Sequence, residues 1–396
     1  MSATAEDHVP GGPLSGVRIV DLSRLVAGNM VTHVLADLGA DVIKVEHPER
    51  GDDLRRWRVK DVEVFWKTYG RNKRSIALDL KHDEDLDVLR RLLATSQAMV
   101  ENFVPGTLER MGFAPEILLD LNPRLVMVRL SGWGQTGPYR DKPGFGTLVE
   151  AMSGYADLNG FADSPPCLPP FALADMIAGL YAAIGLLTGL RHVEVDGGPG
   201  QVVDISLFEP IFSLISVTAG EYRLTGVPSR RNGNQSTHAA PRNLYQCSDG
   251  PYVAMSGSMQ TMAERIFHTI GRPDLVDDPR FRTNDDRLRN RDALDAIIGE
   301  FIARRTREAN LALFAEAGVT VGPVHSVPEL IGHPYVVGRE VIVEMEDEAG
   351  TLPTHNVVTR LSRTPGSIRR RAPSIGEDTA AIMAEIGMGR NPEPVP

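Results

Sequence analysis

GVRIVDLSRLVAGNMVTHVLADLGADVIKVEHP, residues 16 to 48, carries the reading that decides the fold. Residues 16 to 23 form an apolar run of the kind a buried strand shows. Residues 27 to 39 then set apolar side chains at helical spacing and stop at Gly39, and 40 to 48 return to an apolar run closed by Pro48. Strand, helix and strand joined this tightly read as a βαβ unit with parallel strands and a right-handed crossover. The rhythm repeats, with a helix over 86–96, a strand over 97–103, a helix over 115–123 and a strand over 124–132. The expectation is an α/β chain with a doubly wound, Rossmann-like sheet. Such sheets bind ligands beyond the carboxyl ends of their strands, where residues 23–28, 46–47, 102–106 and 132–137 should lie.

At 396 residues the chain exceeds the size at which single cores usually divide. The polar, glycine-containing segment TGVPSRRNGNQSTHAAPRN, residues 225 to 243, marks a boundary. Beyond it NLYQCSDGPYVAMSG reads as a hairpin turning at Asp249-Gly250, followed by charged helices. The expected division is 1–224, a smaller α+β domain over 225–325, and a third part over 326–396.

The formal charge of −10 argues against nucleic acid as the main partner. The two cysteines, Cys167 and Cys247, make no disulfide or metal framework and suit a reducing, cytoplasmic setting. The amino terminus has no basic segment leading into an apolar one, so no secretory signal is read there. FALADMIAGLYAAIGLLTGL, residues 171 to 190, is apolar enough to suggest a membrane span. Asp175 interrupts it and leaves fifteen residues before Arg191, so a buried helix is the better reading. No His-x-x-x-His or Cys-x-x-Cys supports a metal site, and no G-x-S-x-G follows a strand.

Gly132, Gly134 and Gly137 have the G-x-G-x-x-G spacing of a dinucleotide loop and follow a strand. That motif works by opening a helix whose free N–H groups hold pyrophosphate. Here Pro138 follows at once and Lys142-Pro143-Gly144 is turn chemistry, so a nicotinamide or flavin site is disfavoured. Asp175 begins an apolar helix. It reads either as an N-cap or as a carboxylate whose partial desolvation suits a nucleophile or base. Arg71, Lys73, Arg74 and Lys81 form either a solvated loop or a phosphate site. Arg55, Arg56 and Arg58 around Trp57 either gate a pocket or merely pack.

Seven collinear segments, LSGVRIVDLSRLVAG, LADLGADVIKVEHPERGD, RNKRSIALDLK, ENFVPGTLERMG, SGWGQTGPY, ALADMIAGLYAAIGLL and APSIGEDT, together resemble the class III CoA-transferase family of formyl-CoA and carnitine CoA-transferases. The likeness runs from about Leu14 to the end, and GWGQTGP is then that family's loop. It implies Asp175 as catalytic nucleophile, forming an aspartyl anhydride and then an aspartyl-CoA thioester. It implies coenzyme A or acyl-CoA as substrate with no tightly bound cofactor, held by Val26, Ala27, His47, Leu78 to Lys81, Asn102, Phe103, Val104, Arg110 and Lys142 to Phe145, including Gly144. Trp57 and Gly257 would line the pocket for a small carboxylic acid. It further implies a large domain built from both chain ends, so that 326–396 return to the domain begun by 1–224, and an interlocked homodimer.

Three positions depart from the family pattern. His47 stands where some members have arginine, AGNM replaces the commoner AGP at 27–30, and Ser256 to Met259 holds one glycine where some members have a run. The related 2-methylacyl-CoA racemases share the aspartate but need a histidine base in a Gly-His-Asp triplet. Here the triplet is Gly144-Phe145-Gly146, and phenylalanine moves no protons. The wording GFGTLVEAMSG and PPFALADM resembles members acting on C4 to C5 dicarboxylates, with succinyl-CoA as the expected donor. Arg55, Arg56, His238 and Arg242 are the candidates for a distal carboxylate.

Overall fold

A computed structural model describes residues 12–347 and 350–388. The amino-terminal segment read as lacking a secretory signal lies outside them, apart from Gly12. Six parallel strands, β1 (Arg18–Asp21), β2 (Asp41–Glu46), β3 (Lys73–Ala77), β4 (Ala98–Glu101), β5 (Val126–Ser131) and β6 (Val202–Ser206), pair in the order 3-2-1-4-5-6. This is the doubly wound order, and its winding reverses between β1 and β4.

Alternation along the strands builds a core on each face. Val42, Val100 and Val128 point into one core with the helices Leu25–Asp37 and Leu173–Glu194. Ile43, Met99 and Met127 point into the other, with Leu89 and Leu92 of the helix Asp83–Ala94 and Ile382 of the helix Thr379–Glu385. The carboxyl-terminal helix thus joins the sheet built by the amino-terminal half. Glu385 bonds Arg18 at 2.6 Å and Arg74 at 2.6 Å.

The long helix Leu173–Glu194 lies close to its neighbours because it offers small residues to them. A Cβ at Gly179 would meet Met30 Cβ at 2.6 Å and the Ala27 carbonyl oxygen at 2.7 Å. One face of this helix is buried, while Leu180, Tyr181 and Ile184 are 43%, 43% and 61% exposed. By length and composition it would also pass as a membrane span; its buried face packs on the sheet and on helix Leu25–Asp37.

The chain divides into two compact units, 1–155 with 168–220 and 339–396, and 156–167 with 221–338. The second holds three antiparallel strands, β7 (Arg242–Gln246), β8 (Tyr252–Ser256) and β9 (Val321–Pro323), around which Ile266, Phe267, Leu294, Ile298 and Phe314 form a core. The β7–β8 turn contains Asp249-Gly250, with Gly250 at φ +99°. This unit begins at 221 and not 225, and two longer segments fall in it that the sequence assigns to the large domain. Residues 156–167 are held by Arg231 on Asp157 at 2.9 Å, and 326–338 by Arg307 on Glu329 at 2.9 Å. Composition at 225 and 326 shows no trace of these long-range ion pairs.

Candidate active site

The carboxyl ends of β1 and β4 diverge at the reversal point, and loops from both strands line a cavity of about 460 Å³. The two loops are clamped by one side chain. Asn102 Oδ1 accepts from the Arg24 N–H at 2.8 Å, and its Nδ2 donates to the Arg24 carbonyl at 2.7 Å. Of the residues expected from sequence, Ala27, Asn102, Phe103, Val104, Lys142, Gly144, Phe145 and Asp175 line this cavity together.

The loop after β5 reaches the cavity by folding back on itself. A Cβ at Gly132 would lie 2.6 Å from the Gly144 Cα, and Trp133 Nε1 donates to the Pro143 carbonyl at 3.1 Å. Gly134 and Gly137 stand at φ +85° and +87°. No helix follows Gly137 until Gly146, so the three glycines shape a returning loop and not a pyrophosphate cradle.

Asp175 is the third residue of the long helix and not its N-cap, a place taken by Ala172 with no side-chain bond. The helix starts earlier than the apolar run suggests because Glu150, from the helix Gly146–Met152, accepts from the Ala174 N–H at 3.1 Å. A buried carboxylate thus replaces the cap, and it sits beside Asp175. Burial pushes the Asp175 carboxyl up to about 6, and the charge of Glu150 adds to the push. Gly146 gives the room: a Cβ there would fall 2.1 Å from Asp175 Oδ2. Sequence reading named Gly146 only as the last member of the Gly144-Phe145-Gly146 triplet and missed Glu150, which lies in a segment whose local pattern shows only an ordinary helix.

Other expected residues lie elsewhere. His47, Leu78 and Lys81 gather around Asp79 beyond β2 and β3: His47 Nε2 is 3.9 Å from Asp79 Oδ2, and the Lys81 N–H donates to Asp79 Oδ1 at 3.2 Å. Leu78 is buried with its N–H on the Glu46 carbonyl. Val26 is buried in the first helix, and Arg110 is exposed with Nη2 on Thr107 Oγ1 at 2.8 Å. Trp57 stands edge-on to Phe65 at 5.1 Å. Gly257 belongs to the second unit, where a Cβ would strike Ile266 and the Pro241 ring.

The basic cluster at 71–74 is neither solvated nor a phosphate site. Arg71 is fully buried on Asp37 at 2.6 Å, Lys73 on Asp21 at 3.2 Å, and Arg74 bonds Asp41 at 2.7 Å. Arg55 is likewise spent, with Nε on Glu46 at 2.7 Å and its guanidinium stacked 3.9 Å from the Trp66 ring. The cations on the cavity wall are instead Arg24, Arg140 and Lys142. Arg24 is 3.8 Å from Asp53, Arg140 3.3 Å from Asp141, and Lys142 lies 3.4 Å over the Tyr139 ring. Among the described residues, no group of three or more histidines, cysteines or acids could hold a metal ion.

A doubly wound α/β sheet, a cavity at its reversal point, cations on the cavity wall and the Asp175 carboxylate among them make this the candidate active site of an enzyme. The chain belongs to CoA-transferase family III, whose model matches residues 14–379, and it is a CoA-transferase acting on CoA thioesters. It is 38% identical over 381 residues to the succinyl-CoA–D-citramalate CoA-transferase of Chloroflexus aurantiacus, covering 95% of this chain and 94% of that one. It is 33% identical to the succinate–glutarate CoA-transferase of Agrobacterium fabrum, covering 94% and 96% of the two chains. A CAIB/BAIF family protein from Brucella suis superposes with a TM-score of 0.83 at 33% identity, covering 95% of this chain and all of that one.

Proposed function

We propose that this chain transfers CoA from succinyl-CoA to a small dicarboxylate of four or five carbons through Asp175. The similarity to relatives named for citramalate and glutarate supports the substrate class. The observation that carries the mechanism is the Asp175 carboxylate, held on the cavity wall and pushed up to about 6.

An Asp175 oxygen attacks the thioester carbonyl and CoA leaves as thiolate, giving an acyl-aspartyl anhydride. The thiolate then attacks the aspartyl carbonyl and expels the donor acid, leaving aspartyl-CoA thioester. The acceptor carboxylate attacks that thioester to form a second anhydride and frees the thiolate. Attack of the thiolate on the acceptor's acyl carbonyl releases the new acyl-CoA and restores Asp175. Each step exchanges one activated acyl group for another, so the thioester's energy is conserved.

Val26, Ala27, His47, Leu78, Lys81, Asn102, Phe103, Val104, Arg110, Lys142, Gly144 and Phe145 hold the CoA, with Arg110 and Lys142 free of carboxylate partners among the described residues and suited to phosphate. Trp57 borders the acid. Arg55 is bound to Glu46, and Arg24 and Arg140, which share the cavity with Asp175, join Arg56, His238 and Arg242 as candidates for the distal carboxylate. The exposed Leu180, Tyr181 and Ile184 are covered by a second copy in a homodimer, and the reaction takes place in the cytoplasm.

The test is peptide mass spectrometry after incubation with succinyl-CoA and quenching with hydroxylamine or borohydride. A hydroxamate or alcohol confined to the peptide bearing Asp175, and lost in Asp175→Ala, is the expected result. No adduct with any donor, together with deuterium exchange at the α-carbon of a 2-methylacyl-CoA, would overturn it in favour of a racemase.

A further inference from the structure

Directly beneath the turn that lines the cavity lies a cluster of polar side chains that the transfer chemistry does not use. Asp21, Asn29, Lys44, Asp52 and Lys73 are each no more than 2% exposed. Asp21 takes Lys44 on one oxygen and Lys73 on the other, both at 3.2 Å. Asp52 takes Lys44 at 2.8 Å.

Asn29 joins the parts. Its Nδ2 donates to Asp52 Oδ2 at 2.8 Å and to the Leu25 carbonyl at 2.6 Å, and its Oδ1 accepts from Lys73 Nζ at 2.8 Å. An ammonium can only donate, so Lys73 fixes which way the amide faces. Leu25 stands at φ +60°, a left-handed conformation that a leucine holds only under constraint. The constraint is visible at both of its main-chain groups. Its N–H donates to Asp52 Oδ1 at 3.0 Å, and its carbonyl is the one bonded by Asn29. Arg24, Leu25 and Ala27 are the residues that this turn gives to the cavity wall.

We propose that Asn29 is a positioning residue for the CoA thioester, locking the turn at 23–27 in its strained form through Asp52, Lys73 and the Leu25 carbonyl. The proposal rests on the reading of this cavity as the CoA site. A turn held ready in the folded enzyme spares the ligand the cost of ordering it. Without Asn29, Leu25 loses one of its two anchors and relaxes towards negative φ, which moves the wall that faces the thioester.

The experiment is calorimetric titration of the full chain with CoA, on wild type, Asn29→Ala and Asn29→Ser. The serine hydroxyl can still donate to the carbonyl four residues back, so this variant keeps the helix start and loses the bridge to Asp52 and Lys73. The expected result is a CoA Kd raised about five- to tenfold in folded Asn29→Ala and by a smaller factor in Asn29→Ser, which keeps the bond to the Leu25 carbonyl, with kcat at saturating acyl-CoA within about twofold of wild type in both. A lowered melting temperature with an unchanged Kd means a structural role only and overturns the proposal. So does a fall in kcat at unchanged Kd. Failure of the wild type to bind CoA is a separate result, and it overturns the reading of the cavity itself.

Discussion

Gly146 and Asp175 are in contact through a side chain that Gly146 does not have: a Cβ there would stand 2.1 Å from Asp175 Oδ2. The same short helix supplies Glu150, whose Oε1 takes the Ala174 N–H. One turn of chain therefore both clears the space for the nucleophile and fixes the helix start that presents it.

Gly146→Ala is expected to push Asp175 out of its reactive position. Misplacing a reacting group by about an ångström costs on the order of 100-fold in kcat. Overpacking at this buried position should also cost about 1–3 kcal/mol of stability. Steady-state transfer assays beside denaturant melts would measure both. Wild-type kcat in the folded variant would mean that the carboxylate reacts from some other position.

The nucleophile is the ionised carboxylate, so kcat/KM for acyl-CoA should rise with pH up to about 6 and level off above it. Burial is the larger cause of that raised value and the Glu150 charge the second. Glu150→Gln keeps the shape and removes the charge, so the inflection should move down towards the ordinary 3.8 without reaching it. A pH profile of the variant that overlays the wild type would show that Glu150 acts on helix geometry alone.

The βαβ pattern was legible because buried parallel strands read as apolar runs with short helical connections between them. Strand order was not, since pairing β1 with β4 leaves no local mark on either. Asp175 was legible as a lone carboxylate entering an apolar helix. Its place in the first turn was not, because Glu150 comes from 24 residues upstream of the Ala174 N–H that it holds. The charges at Arg55, Arg71 and Lys73 were visible while their partners were not. Glu46, Asp37 and Asp21 meet them only once the sheet is assembled, and burial then makes them structural.

Asp175 also sets stability against function. Its folded value of about 6 lies above the ordinary 3.8, so the folded chain binds the proton more tightly than the unfolded chain does. Keeping the group charged therefore destabilises the fold fully above about pH 6, and this penalty fades as the pH falls from about 6 towards 3.8. Asp175→Asn should abolish transfer and stabilise the fold at pH 7 to 8. The gain is at most about 2–3 kcal/mol at roughly 1.4 kcal/mol per pH unit, and less to the extent that water still reaches the side chain. Urea melts of both proteins at pH 8 and pH 4 should show the difference only at the higher pH. Equal stability at pH 8 would mean that the carboxyl is not perturbed.

Two glycines of one motif should respond differently to alanine, because they are glycine for different reasons. A Cβ at Gly132 would lie 2.6 Å from the Gly144 Cα, so Gly132→Ala must separate two backbones and carry Gly144 and Phe145 away from the cavity. Gly137 stands at φ +87° with nothing within 4 Å of a Cβ, so Gly137→Ala bears only backbone strain of about 1–2 kcal/mol. CoA binding should weaken at least about tenfold in the first variant, as expected when a preformed wall is lost. It should stay near wild type in the second. Calorimetry with CoA on both proteins separates the cases: equal loss in the two would show that the loop works through its flexibility, and loss only in Gly132→Ala that it works through the close crossing at Gly144.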